Sequence, residues 1–240
     1  MEPPQIRVDP ESCKRCGFCA SVCPSHVFRW EKGEVPSIEG VDLCCVCGHC
    51  VAVCAGGAIT HSLLDPSAFK KLDETAPIAT NRLVDFVWSR RSVRAYKKRD
   101  VPRELLERAA QAAGFAPTGS FGHEGRVRQV VIVSGAETMG EIAAITARYM
   151  EKLRDVLDSF VVKTVARFSD EARAGRMTLP DIAMRLARWE AGENAITYDA
   201  PAAIFVHTAQ GTTTPHEDVD AALMNILLTC HALGLGTCWN

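Results

Sequence analysis

No apolar run in the sequence approaches the roughly 20 residues that a membrane helix needs, so nothing in it reads as a span. Its first residues, MEPPQIRVDP, lack both a basic start and an apolar signal core, which removes a secretion signal and leads to the expectation of a cytoplasmic protein. An excess of one charge is also missing. The 27 Lys and Arg stand against 29 Asp and Glu, and without a basic stripe nucleic acid is not an expected partner. No Ser-His-Asp or paired-carboxylate constellation stands out, and there is no convincing dinucleotide fingerprint. Cysteine is scarce over most of the length: beyond residue 54 there are only Cys230 and Cys238. The other nine of the 11 crowd into residues 13–54, a local density that points to a metal site and not to a disulfide framework. The remaining composition, 47% apolar over 240 residues, suits an ordinary globular protein with room for two small domains or one large one.

The cysteines are ordered. Cys13, Cys16, Cys19 and Cys23 read C-x2-C-x2-C-x3-C, followed by Pro24, and Cys44, Cys47, Cys50 and Cys54 repeat that spacing 31 positions later. An offset shared by all four members is an internal duplication. The spacing has a chemical reason. A cubane iron–sulfur cluster offers four iron corners, each wanting a thiolate, and three cysteines at two-residue gaps wrap one loop around three of them. Structural zinc, the alternative, pairs two C-x2-C knuckles around one ion, which two triplets with two outlying cysteines match poorly.

Over about residues 5–62 the chain resembles bacterial two-cluster [4Fe–4S] ferredoxins. The resemblance implies that the fourth cysteine of each run ligates the other cluster: Cys13, Cys16, Cys19 and Cys54 for one, Cys44, Cys47, Cys50 and Cys23 for the other. Ala55 departs from the pattern, standing where the first run has proline, but no ligand is lost. Cys45 lies outside the repeat and reads as a buried small residue, with an alternative ligand as the lesser reading. Gln5–Val8 and Ala58–His61 are expected to pair as short outer strands, and Phe28–Trp30 with Val35–Ser37, flanking Gly33, as a hairpin. Few apolar side chains remain for a core, so metal binding is expected to supply much of the folding free energy. Residues 1–62 hold five Lys and Arg against seven Asp and Glu. Two oxidised clusters at about −2 each would deepen that charge to about −6, which suits a basic electron donor.

Residues 62–80 contain two prolines and no long apolar pattern and read as a linker. A helix is expected from Thr80 through Leu83, Phe86 and Val87. Ser89-Arg90-Arg91-Ser92-Val93-Arg94 then sets three arginines and a serine close together, a phosphate clamp by chemistry, or in isolation a solvated basic turn. A helix from Pro102 to Ala113 leads to the turn-rich Ala116-Pro117-Thr118-Gly119-Ser120. Gln129–Val133 reads as a buried strand, as does Ala202–His207 after Pro201. Apolar positions at Ile142, Ile145, Tyr149, Leu153, Leu157, Val161, Val165 and Phe168 have helical spacing, read as packing. Asp218–Leu233 is apolar nearly all round and reads as a buried central helix, with Cys230 in its core. It runs into Gly234-Leu235-Gly236-Thr237-Cys238-Trp239, whose glycines let the backbone approach a planar ligand. Cys238 reads as a packed thiol.

These segments, in this order over residues 80–240, resemble the nitroreductase family of FMN-binding proteins, in which an R-x-S-x-R segment, an A-P-[ST]-x loop and a glycine-rich turn touch the flavin. The resemblance implies that Arg90, Arg91, Ser92 and Arg94 contact the FMN phosphate, ribityl chain and ring edge, that Pro117, Thr118, Gly119 and Ser120 line the flavin, and that Gly236 and Thr237 add backbone contacts. Two departures stand against it. The family's asparagine after the A-P-[ST] turn is replaced by Phe121-Gly122-His123-Glu124, which leaves His123 as a candidate substitute, and the helix, strand and C-terminal segment expected after the glycine-rich turn do not follow Asn240. The expected fold is α+β: a ferredoxin-like domain (1–62), a linker (63–79) and a nitroreductase-like FMN-binding α+β sandwich (80–240) lacking its C-terminal part. The expected function is an oxidoreductase passing electrons from two [4Fe–4S] clusters to FMN and on to a small conjugated acceptor such as a nitroaromatic or quinone, with reduced ferredoxin or NAD(P)H as donor and no catalytic side chain required. A homodimer and a substrate lid around residues 141–168 are further implications. An electron carrier with a degenerate flavin domain, or a flavin dehydrogenase or dehalogenase, remain open alternatives.

Overall fold

A computed structural model describes residues 3–69, 78–119, 128–208 and 213–239. The chain divides into two compact units. One comprises Met1–Ser89, Ala112–Gln129 and Val206–Asn225, the other Arg90–Gln111, Val130–Phe205 and Ile226–Asn240.

Within the first unit the duplication seen in the sequence becomes a duplication of structure. Strand β1 (Ile6–Val8) pairs antiparallel with β4 (Ile59–His61), Ile6 opposite His61 and Val8 opposite Ile59. Strand β2 (Phe28–Arg29) pairs with β3 (Ser37–Ile38), Phe28 opposite Ile38. Shifting β1 and β2 by 31 positions lands on β3 and β4, so each short sheet joins one strand from each copy. The second sheet begins two residues later than the expected Val35–Ser37 because Pro36 has no N–H to give to a ladder. Helix α1 (Phe18–Ser21) corresponds in the same way to α2 (His49–Val53). Their leading glycines, Gly17 and Gly48, both sit at left-handed φ, 73° and 79°. So do Arg15 and Val46, at 54° and 53°, although their side chains disfavour that region. Ile6, Val27, Phe28, Val46 and Ile59 form a small core together with Cys19, Cys44 and Cys50.

Helix α3 (Thr80–Ser89) follows, with no buried residue: Leu83, Val84, Val87 and Trp88 all face outward. In the second unit α4 (Arg103–Gln111) buries Leu106 and Ala109 and passes into a 3-10 turn at Ala112–Phe115, close to the expected helix. Strand β5 (Gln129–Ser134) pairs with β6 (Ala202–His207). Both strands were expected to be buried, and neither is. A two-stranded sheet leaves much of its surface open, and Val131 and Phe205 are 44% and 45% exposed.

The helical spacing over residues 141–168 resolves into α5 (Ala136–Leu157) and α6 (Phe160–Val165). Ser159 breaks them, its side chain capping α6 by accepting from Val162 N–H. The packed stripe matches the expected one only in part: Leu153 and Leu157 are partly buried and pack against the core around Ala147. Met139, Ala143 and Ala147 are the buried positions of α5, and Ala147 joins Ile182, Leu186 and Ile196 in a core that includes α8 (Leu179–Glu190). Between them lies α7 (Asp170–Met177). Ile145, Tyr149, Phe160, Val161, Val165 and Phe168 are exposed, so plain packing within the chain does not account for them. Helix α9 (Pro215–Ala232) buries Ala222, Ile226, Leu227 and Cys230. Among the described residues no helix is long and apolar enough to cross a membrane.

The paired strain in the first unit is testable. A Cβ on Gly17 would meet the Trp30 ring at 2.6 Å, in addition to its left-handed φ, whereas Gly33 is left-handed with nothing within 4 Å. Gly33→Ala is expected to destabilise by about 1 kcal/mol, the backbone penalty alone. Gly17→Ala adds an overpacking cost of about 1–3 kcal/mol. Thermal unfolding of the two variants should therefore separate clearly, and equal melting temperatures would refute the packing difference.

Candidate functional site

The cysteine loops wind so that sulfurs from the two runs face one another. Burial pushes the Cys50 thiol up to about 12, and the thiols of Cys47, Cys44 and Cys23 opposing it push the same way. Cys47 is likewise raised, first by burial, and both Cys45 and Cys23 oppose it. Around the other centre burial raises Cys19, with Cys13 and Cys54 opposing it. Cys23 thus sits among the second run and Cys54 among the first. Cys23, Cys44, Cys47 and Cys50 also line one recess, together with Cys45 and His61. Cys45 is only half-buried, which corrects the expectation of a buried filler.

Backbone N–H groups already point at these sulfurs. Arg15 N–H donates to Cys13 Sγ and Val46 N–H to Cys44 Sγ, both at 3.4 Å. Val27 N–H donates to Cys23 Sγ and Ala58 N–H to Cys54 Sγ, both at 3.3 Å. The left-handed backbone of Arg15 and Val46 turns the amides inward, so the strain is used to solvate sulfur. Among the described residues no three Cys, His, Asp or Glu side chains gather as a single-ion site does.

In the second unit the arginine segment meets the glycine-rich turn. Ser92 forms a parallel bridge with Thr237, and Val93 N–H donates to Thr237 C=O at 2.8 Å. Helix α9 ends in a left-handed Gly234 (φ 74°), with Gly234 N–H bonded to His231 C=O and Leu235 N–H to Cys230 C=O, a Schellman termination that aims the turn. A Cβ on Gly236 would lie 3.0 Å from Val93, so this glycine serves the approach of the two segments. Arg90 is half-buried and Arg91, Ser92 and Arg94 are exposed. Arg94 lies 5.9 Å from the centre of the Tyr198 ring. Tyr198 and Asp199 both take left-handed φ, and Arg185 Nη1 donates to the Tyr198 hydroxyl at 3.0 Å. Burial raises the Tyr96 phenol, with Cys238 beside it. Cys230 is pushed up to about 11 by burial alone, as an inert core thiol would be.

In the first unit the Pro117-Thr118-Gly119 loop is held by a residue the sequence reading took only as a helix start. Asp218 is 2% exposed. Its carboxylate accepts from Thr118 Oγ1 at 2.7 Å, Gly119 N–H at 2.9 Å and Thr214 Oγ1 at 3.2 Å. Arg128 donates to the carbonyls of Ala116, Pro117 and Asp218. Ser120 and the Phe121–Glu124 stretch with His123 lie outside the described residues.

A model of the nitroreductase family matches residues 87–240, and one of the 4Fe-4S binding domain matches residues 6–29. The chain belongs to the nitroreductase family. Its N-terminal part is 31% identical over 65 residues to Ferredoxin-1 of Rhodobacter capsulatus, a match covering 26% of this chain and 97% of that one. Among solved structures it is similar to a nitroreductase with bound FMN from Bacteroides fragilis (21% identity, TM-score 0.41, covering 67% of this chain and 70% of that one). A variant of an FMN- and NADPH-dependent nitroreductase from sphigopyxis sp. strain HMH is similar at 25% identity, TM-score 0.42 and coverage of 65% and 72%.

The residues of this nitroreductase-family chain fit the groups these families imply. For a cluster, the facing thiols offer sulfur ligands, the inward amides donate to them, and Ser25 Oγ is buried in the recess wall without a partner. For a flavin phosphate, Arg90 is half-buried and its guanidinium has no hydrogen-bond partner among the described residues.

The Asp218 clamp can be tested on stability. Asp218→Ala leaves the Gly119 N–H and two hydroxyls without their acceptor, and unfolding should be easier by about 2–4 kcal/mol. Asp218→Asn keeps one acceptor oxygen and should lose about half of that. If Asp218→Ala unfolds like the unaltered chain, the clamp does not hold the loop.

Proposed function

We propose that this chain is an iron–sulfur flavoprotein oxidoreductase, built from a ferredoxin-type part ending near residue 62 and a nitroreductase-type part beginning near residue 80, which passes electrons from two [4Fe–4S] clusters through FMN to a small conjugated acceptor, a nitroaromatic or quinone. The observation that carries this reading is the Ser92–Thr237 bridge, which sets the arginine segment against the glycine-rich turn in a chain whose other motif is a doubled cluster-binding run.

When bound, the clusters would move electrons singly and FMN would combine them into two-electron reduction of the acceptor. The protein's own tasks are positional. Cys13, Cys16, Cys19 and Cys54 would hold one cluster and Cys44, Cys47, Cys50 and Cys23 the other, with the backbone amides of Arg15, Val46, Val27 and Ala58 stabilising charge on sulfur. Arg90, Arg91, Ser92 and Arg94 would hold the flavin's phosphate end and ring edge, and Pro117, Thr118, Gly119, Ser120, Gly236 and Thr237 would line it. Reduced ferredoxin or NAD(P)H would serve as donor. A homodimer belongs to this reading: the outward apolar residues of α3 and of α5–α6 are the surface a second copy would cover. The interior of a cell keeps such cysteines reduced, which suits a cytoplasmic site of action.

Anaerobically prepared protein should contain about eight iron per chain. Cys19→Ala and Cys50→Ala should each remove one cluster, and Cys45→Ala should spare both. A zinc-only protein, or clusters lost on changing Cys45, would contradict the ligand sets.

The flavin half has its own test. Arg90→Ala should weaken FMN binding by about 1.5–3 kcal/mol, the scale of a charge-assisted hydrogen bond, or roughly ten- to a hundredfold in affinity. Arg90→Lys should rescue only part, because an ammonium lacks the planar fork. Cluster absorbance should survive in both. Equal affinity of the unaltered and Arg90→Ala proteins in an FMN titration would return this segment to a solvated turn and favour a simple electron carrier.

A further inference from the structure

The duplication makes the two cluster loops alike in their backbone contacts to sulfur, and His61 departs from that equivalence. The amide-to-sulfur bonds recur at equal distances in both copies, Arg15 to Cys13 with Val46 to Cys44, and Val27 to Cys23 with Ala58 to Cys54. His61 adds something the other copy lacks. It is 6% exposed, and its Nε2 lies 3.5 Å from Cys44 Sγ. Its Nδ1 accepts from Leu63 N–H at 3.1 Å, so the ring hydrogen resides on Nε2 and points at the sulfur. The residue 31 positions earlier is Trp30, and the counterpart of Cys44 is Cys13. Trp30 also carries a ring N–H, but Nε1 donates to Glu34 C=O at 3.0 Å. Among the described residues Cys13 receives the Arg15 amide and no side-chain donor.

We propose that His61 makes the two clusters unequal, raising the reduction potential of the one held by Cys44, Cys47, Cys50 and Cys23 through an Nε2–H to Sγ hydrogen bond. The inference rests on the two-cluster reading above. The physical reason is charge. Each cluster gains one electron on reduction, the added negative charge spreads onto the ligand sulfurs, and a donor aimed at one of them favours the reduced state. No proton moves, since the hydrogen stays on Nε2 in both states. A protein holding a single electron therefore keeps it on the Cys44 cluster, and electrons entering at the Cys13 cluster run downhill to the other.

The test is a potentiometric titration of the anaerobic, cluster-containing full chain, with dithionite as the one-electron source and electron paramagnetic resonance as the readout. The unaltered protein should show two midpoints. His61→Phe, which keeps a ring of similar size without a donor, should lower the higher midpoint by about a tenfold change in the reduced-to-oxidised ratio, about 59 mV for one electron, and leave the lower one in place. His61→Gln, which keeps an amide N–H, should recover part of the shift, and Trp30→Phe should move neither midpoint. Two coincident midpoints in the unaltered protein, which needs no variant to fold, would overturn the proposal. So would a His61→Phe protein of full iron content with unchanged midpoints. An iron content near four per chain in the unaltered protein would bring down the two-cluster reading itself, and the proposal with it.

Discussion

Sulfur that is buried and surrounded by other sulfur resists ionisation, and much of the first unit is organised around that resistance. Cys19 and Cys50 are buried and raised by burial, and each faces further thiols that raise it again. Without positive charge at the centre such groups stay protonated at neutral pH and contribute little more than small apolar bodies. A metal cluster changes the balance by supplying that charge, which ties the folding of this unit to cluster uptake on the proposed reading. The left-handed residues Arg15 and Val46 belong to the same arrangement, because their conformations turn amides toward sulfur. The apolar core of Ile6, Val27, Phe28, Val46 and Ile59 is small.

The nitroreductase-family part is assembled on a different principle. One buried carboxylate, Asp218, gathers a loop by three hydrogen bonds, and the Schellman turn after α9 carries Thr237 to Ser92. Helix α5 is packed in part through small residues. Ala143 and Ala147 bury one side of α5, while larger apolar side chains on α3, α5 and α6 stay on the surface of the single chain. A protein that leaves Trp88, Phe160 and Phe168 outside has placed apolar area where another surface can cover it.

Reading the chain as a string recovers what depends on local spacing. The two C-x2-C-x2-C-x3-C runs, the α3 and α4 helices and the flavin-type motifs are all contiguous patterns, and the family follows from them. The misreadings have a common origin. Ile145 and Tyr149 looked like core because they are large and apolar, but the fully buried positions of α5 are Met139, Ala143 and Ala147, and the burial of alanine barely registers in a hydrophobicity pattern. Strands β5 and β6 looked buried because their sequences are apolar, whereas burial depends on what lies over them. Cys45 stands outside the repeat and was discounted, yet the loop turns it toward Cys47.

The sequence by itself determined the ligand chemistry, the duplication and the motifs that name the family, because a thiolate's identity and the distance along a short loop are covalent facts. Only the tertiary structure decided that Asp218 clamps Thr118 and Gly119 across about a hundred residues, and that His61 points at Cys44 while Trp30 turns to Glu34. Those pairings depend on where the backbone carries each side chain, and a hydrogen bond's direction is set by the last few ångströms of that path.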